Sequence, residues 1–179
     1  MAAEHTRRPL DEIDRHLLSV LQSSPRASYA EIARLVGIAR GTVYSRLDRL
    51  EDEGVIVGYG PDVDHAAAGL GVLAFATLEI TQGRHDETID ELARIPEIVE
   101  IHTITGVGDL LCRIVAASND ELHLVLQDVS MVPAVTRIET KLALSTDHRR
   151  TLVDVLAPVD DPVDDPVDDR IDDPVDDDE

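Results

Sequence analysis

The chain of 179 residues has no tryptophan, three tyrosines, one phenylalanine and one cysteine. With so few aromatics, any packed core has to be built from Val, Ile, Leu and Ala, which suits small αβ modules and discourages an aromatic-lined flavin or heme pocket. No cofactor is expected. The lone Cys112 has no partner for an internal disulfide. No apolar run is long enough to cross a bilayer, and the charged N-terminal stretch lacks the apolar segment of a secretory signal. The expectation is a cytoplasmic protein with no membrane partner. Catalytic signatures are missing as well: there is no Gly-x-Ser-x-Gly, no P-loop and no dinucleotide fingerprint, so an enzyme is not expected. The seven histidines are scattered rather than spaced as ligands. If a hairpin turns about Val107, His102 and Cys112 fall opposite each other, but two ligands do not close a metal site and none is expected.

Positive charge is also scarce, with 16 Lys and Arg against 37 Asp and Glu, for a net charge of -21. The deficit is unevenly spread. Residues 1–60 carry eight Arg against nine acids, whereas residues 158–179 carry Arg170 alone against twelve acids. That last stretch repeats Pro-Val-Asp-Asp with small changes and cannot bury enough apolar surface to offset the entropy of ordering. It is expected to be a disordered acidic tail, while the first sixty residues remain nearly neutral.

What is present in those sixty residues is a two-helix pattern. Ser28-Tyr29-Ala30-Glu31 is a capping box, and Ile32, Ala33 and Val36 share one helical face before Gly37 supplies a left-handed stop. In the next helix Val43, Leu47 and Leu50 point inward. This leaves Gly41, Thr42, Ser45 and Arg49 on the outward arc, with Arg46 on its flank and Arg40 near the start. The layout is a helix-turn-helix whose second helix can enter a major groove. The candidate DNA contacts are Ser28, Arg40, Thr42, Ser45, Arg46 and Arg49, through phosphate clamping or base-edge hydrogen bonds. A first helix opens near Leu10-Asp11-Glu12-Ile13-Asp14, with Ile13, Leu17 and Leu21 as its apolar stripe, and a strand over Gly54–Tyr59 is expected to close the unit.

After a linker at 61–70, marked by Pro61 and Gly69, the elements alternate. Strands are expected over Val72–Thr81, Ile98–Thr105, Leu110–Ala116 and Val135–Leu144, with helices over Glu87–Ile95 and from an Asn119 cap to about Val129. The order βαββαβ is that of a ferredoxin-like module with helices on one face of an antiparallel sheet. The domains are therefore expected at 1–60 (helix-turn-helix), 71–157 (ferredoxin-like) and 158–179 (tail). The fold class is α+β.

The Arg-Leu-x-x-Leu-Glu-x-x-Gly-x-Ile run from Arg46 to Ile56 and the Thr105-Gly106-Val107-Gly108-Asp109 hairpin, at this separation, resemble the Lrp/AsnC family of transcriptional regulators. The resemblance covers about residues 10–145. It implies a winged helix-turn-helix for double-stranded DNA, followed by a ligand-sensing domain that assembles as a homodimer or higher even-numbered homo-oligomer. It also implies a small-molecule effector, an amino acid, bound between subunits at Thr105, Gly106, Gly108 and Asp109, with Thr140 on the fourth strand as a further candidate. One departure stands out: Ala39 occupies the position where the family usually caps the recognition helix with Ser or Thr. A ligand-independent architectural DNA-binding protein of the same fold is the alternative.

Overall fold

The computed structural model describes residues 8–156. In chain order the elements are α1 (Glu12–Ser23), α2 (Tyr29–Val36), α3 (Arg40–Asp52), β1 (Val72–Ile80), α4 (His85–Leu92), β2 (Ile98–Thr103), β3 (Leu110–Ala116), α5 (Asn119–Met131), β4 (Val135–Ala143) and α6 (Leu152–Leu156). They divide into two units, one holding the residues through Tyr59 together with those from Arg150 on, the other running from Gly60 to Arg149. Most of the N-terminal arm and the whole acidic tail lie outside the described residues. No helix among the described residues is long and apolar enough to cross a membrane.

In the first unit each helix starts or stops for a chemical reason. Asp11 caps α1 in a reciprocal box, its carboxylate accepting from the Asp14 N–H at 2.9 Å while Asp14 accepts from the Asp11 N–H at 3.1 Å. Ser28 and Glu31 form the expected box on α2, and Gly37 at φ 76° ends that helix. Ala39 caps α3 without a side-chain bond. Leu17, Leu18 and Val20 of α1 meet Ile32 and Ala33 of α2 and Val43, Leu47 and Leu50 of α3 in one aliphatic core. Each Val, Leu or Ile among them contributes roughly 1.5–3 kcal/mol on full burial.

Two expectations for this unit are corrected. Gly54–Tyr59 forms no strand: Gly54 at φ 67° turns the chain, and the Val55 and Ile56 N–H groups both donate to the Leu50 carbonyl, at 2.8 and 3.0 Å. Val55 and Ile56 thus cap α3 and fold back on the core. Nor does the second unit extend to residue 157. Val153 and Leu156 of α6 pack on the helix-turn-helix core, and Gln22 of α1 bonds Asp154 at 3.1 Å and Thr151 at 3.0 Å.

In the second unit the sheet order is β2-β3-β1-β4 with every pair antiparallel. Ala74, Ala76 and Leu78 of β1, with Leu110, Cys112 and Ile114 of β3, face Leu92 of α4 and Leu122, Val125 and Val129 of α5. The strand period places Leu73, Phe75, Thr77, Arg113 and Val115 on the opposite face. Phe75 is 37% exposed there.

Small shifts have local causes. Ser118, not Asn119, caps α5, accepting from the Glu121 N–H at 3.1 Å. Helix α4 ends at Leu92, before the expected Ile95, because the chain turns ahead of Pro96, with the Ile95 N–H on the Leu92 carbonyl at 3.0 Å. Thr103 pairs with Leu110, so Cys112 lies opposite Ile101 while His102 lies opposite Leu111. The His102–Cys112 pairing is therefore not formed.

Candidate DNA and effector sites

Helix α3 meets the rest of its unit along two flanks. On the flank toward α1, Arg46 places one guanidinium nitrogen 2.7 Å from Asp11 and 2.8 Å from Asp14. Arg49 reaches Asp14 at 2.7 Å and Glu53 at 3.4 Å. Asp14 is fully buried, and the two Arg side chains retain only 21% and 24% of their exposure. Burial alone would raise the Asp14 pKa; hydrogen bonds from Arg49 and Arg46 outweigh it and hold the carboxyl below its ordinary value. The Arg46 hydrogen bond draws Asp11 down to about 2. The outward placement expected for Arg49, and the free flank expected for Arg46, are thus corrected: both guanidiniums turn to α1 and clamp it to α3. The sequence holds a trace of this clamp in the Asp11-x-x-Asp14 spacing facing Arg46-x-x-Arg49. Helical geometry brings each pair onto one face.

The other candidates stay available. Arg40 is exposed at the first position of α3 and forms no ion pair among the described residues. Ser45 is exposed, its hydroxyl donating to the Thr42 carbonyl at 3.2 Å, and Thr42 is half-buried. Ser28 is exposed, with its oxygen accepting from Glu31. A feature missed in the sequence lies on the flank toward α2, where the rings of Tyr29 and Tyr44 meet edge to face with centroids 6.0 Å apart.

In the second unit the Thr105–Asp109 loop joins β2 to β3. Asp109 anchors it: one carboxylate oxygen accepts from the Ile80 N–H at 2.8 Å, and the Asp109 N–H donates to the Leu78 carbonyl at 2.8 Å. Gly106 and Gly108 both take positive φ, at 100° and 87°. They differ in surroundings. A side chain on Gly106 would meet open space, whereas one on Gly108 would collide with the Thr77 methyl and crowd the Leu78 carbonyl. Thr105, Gly106 and Asp109 are exposed. Thr140 is exposed on β4 opposite Ala76, across β1 from this loop. A concave space of about 560 Å³ in the same unit is lined instead by Phe75, Glu100, Arg113 and His148 among others, and does not include the loop.

Among the described residues no group of three or more His, Cys, Asp or Glu is arranged to hold a metal ion. Burial pushes the Cys112 thiol up to about 11, which keeps it protonated and unreactive at neutral pH.

The first unit is a helix-turn-helix, the arrangement of a DNA-binding protein, and the chain continues into a βαββαβ unit that carries an exposed glycine loop. Comparison with known proteins matches residues 10–57 to the winged helix-turn-helix DNA-binding family and residues 73–153 to the Lrp/AsnC ligand binding domain. The HTH-type transcriptional regulator FL11 of Pyrococcus horikoshii is 34% identical over 143 residues, covering 80% of this chain and 94% of that one. The solved structure of Escherichia coli AsnC superposes with a TM-score of 0.75 at 24% identity, over 82% of this chain and 99% of that chain, a likeness of fold. A feast or famine regulatory protein from Mycobacterium tuberculosis, solved with L-methionine, gives a TM-score of 0.70 at 28% identity, over 79% and 96% of the two chains. This chain belongs to the Lrp/AsnC family of transcriptional regulators, and its first unit is the family's DNA-binding part.

Proposed function

We propose that this regulator binds operator DNA through Ser28, Arg40, Thr42 and Ser45 on the α2–α3 face, as a homodimer or higher even-numbered homo-oligomer. An amino acid held at the Thr105–Asp109 loop then biases its assembly or its DNA affinity. Arg46 and Arg49 act in this reading by positioning α3 against α1. Two copies would set two recognition helices on successive half-sites.

The observation that carries the effector site is the loop itself: its glycine-rich backbone is exposed, and the concave space lined by Phe75, Glu100, Arg113 and His148 does not include it. A cleft completed by a second subunit fits that arrangement. Loop amides can receive a carboxylate, and Asp109 keeps one carboxylate oxygen without a protein donor among the described residues for an ammonium. The L-methionine complex of the M. tuberculosis relative supports an amino acid as the ligand class. Thr140 is left out of this reading, because β1 separates it from the loop. The open sheet face, where Phe75 lies beside Leu73 and Val115, is the surface a partner sheet would cover.

The test is a thermal-shift screen of the twenty standard amino acids, since a ligand that binds the native state raises the melting temperature by mass action. Asp109→Asn keeps an oxygen for the Ile80 N–H and removes the charge; it should erase the shift and leave ligand-free DNA binding intact. A variant that still responds like the parent would move the cleft elsewhere. Discrete footprints on promoter DNA are expected, and uniform coating would favour the architectural alternative.

A further inference from the structure

We infer that Tyr29 and Tyr44 form a non-ionic DNA-contact patch, packing against the sugar–phosphate backbone of double-stranded DNA on the α2 flank of the recognition helix. The inference rests on the DNA-binding reading of α2 and α3 and adds to it which chemistry grips the backbone.

Aromatic residues are scarce in this chain, and none of its three tyrosines serves the first unit's core, which is aliphatic. All three lie between positions 29 and 59, in the helix-turn-helix unit. The Tyr59 hydroxyl is occupied, donating to Glu51 at 2.6 Å. Those of Tyr29 and Tyr44 have no hydrogen-bond partner among the described residues. Both side chains stay at the surface, 40% and 61% exposed, although their rings touch at an interplanar angle of 80°. An edge-to-face pair holds the two rings in a fixed orientation, so little side-chain entropy is left to lose on binding.

The charge arrangement says why such a patch would be needed. With Arg46 and Arg49 tied to Asp11, Asp14 and Glu53, the exposed surface of α3 presents Arg40, Gly41, Tyr44, Ser45, Asp48, Glu51 and Asp52, one cation against three anions. Electrostatic attraction to phosphate from this helix is therefore weak. A phenol supplies what remains: a neutral O–H donor for a phosphate oxygen and a ring face for the deoxyribose. Such interactions release no counterions, so they keep their strength as salt rises.

The experiment uses the full-length protein and a duplex selected by it from a random pool. Affinity is measured across a salt series for the parent, Tyr44→Ala, Tyr44→Phe, Tyr29→Phe and Arg40→Ala. Tyr44→Ala should weaken binding about tenfold or more with an unchanged salt slope, and Tyr44→Phe by several-fold through loss of the hydroxyl alone. Arg40→Ala should instead flatten the slope, by about 0.9 for each phosphate it no longer neutralises. Because the chain has no tryptophan, its intrinsic fluorescence comes from the three tyrosines, and titration with the duplex should quench it less in Tyr44→Phe than in the parent. Should the parent bind no duplex, the DNA reading of α2 and α3 falls and this inference with it. A parent that binds while the folded Tyr44 variants match it within twofold at every salt, with equal quenching, overturns the inference alone.

Discussion

Arg46 and Arg49 on α3 and Asp109 in the loop after β2 all stand at motif positions, and each is already bonded within its own unit. The bonds differ in kind. The arginines share a fully buried carboxylate, so the clamp they form with Asp14 joins two helices across 32 and 35 residues of sequence. Asp109 is exposed and closes only the end of β1, through backbone groups at Leu78 and Ile80. A charge at a motif position can therefore serve the fold, the partner or both. Burial of its own partner is what separates the cases.

The sharpest way to break that comparison is to remove each anchor. Asp14→Ala removes the buried carboxylate that two partly desolvated guanidiniums share, leaving Arg46 only Asp11 and Arg49 only Glu53, and should cost about 3 kcal/mol, read as a lower urea midpoint at constant m. Asp109→Ala strands one N–H at an exposed edge and should cost about 1 kcal/mol. Equal losses would dissolve the distinction. For the same reason, replacing Arg46 and Arg49 together would leave Asp14 buried without a counter-charge. Any loss of DNA binding in that double variant has to be read against its stability.

The loop glycines sharpen the comparison inside the second unit. Gly108→Ala combines positive φ with a collision at Thr77 and should cost about 2 kcal/mol, whereas Gly106→Ala, strained in backbone only, should cost about 1 kcal/mol. A smaller loss at Gly108 than at Gly106 would show that the Thr77 side chain gives way.

Acid probes the clamp, whose two carboxylates are depressed, as is the Asp154 carboxylate of the same unit. Asp11, at about 2, and Asp14 both have folded pKa values below the ordinary 3.8. Depressed carboxylates contribute stability that is complete above the unfolded value and is lost as pH falls through the folded one, for Asp11 between about 4 and 2. Unfolding measured at pH 7, 4 and 3 should show the decline beginning below 4, and Asp11→Asn should flatten part of it. An acid limb unchanged in that variant would remove Asp11 from the linkage.

Much of this was legible in the chain because it is local. The Ser28 box, the Gly37 stop, the uncapped Ala39 and the bounds of β3 follow from neighbouring residues. The misreadings involve distance or brevity. A helical wheel puts Arg49 outward, but only the packing of α1 shows that Asp14 waits there. Gly54 reads equally well as strand punctuation or as a helix stop, and the choice depends on whether Val55 and Ile56 find the core. Helix α6, five residues long, offers too little periodicity to be distinguished from a linker.

The smallest effect expected concerns the chain beyond α6. Because α6 packs on the helix-turn-helix core, the Pro-Val-Asp-Asp repeat begins at the unit that must approach a polyanion, even though residues 158–179 lie outside the described structure. Those residues carry twelve acids and one Arg, so a chain ending at Ala157 changes its net charge from -21 to -10. An oligomer multiplies that change. The repulsion is screened over about 10 Å at 0.1 M salt and about 3 Å at 1 M. The truncated chain should therefore bind DNA several-fold more tightly at low ionic strength, with the advantage fading toward 1 M. Tyr44→Ala should weaken both lengths of chain in the same proportion, since its hold on the backbone carries no charge. Affinities that coincide for the two lengths across the whole salt series would make the tail electrostatically silent toward DNA, and would leave the regulator's salt response to the exposed arginines of the helix-turn-helix unit, Arg40 among them.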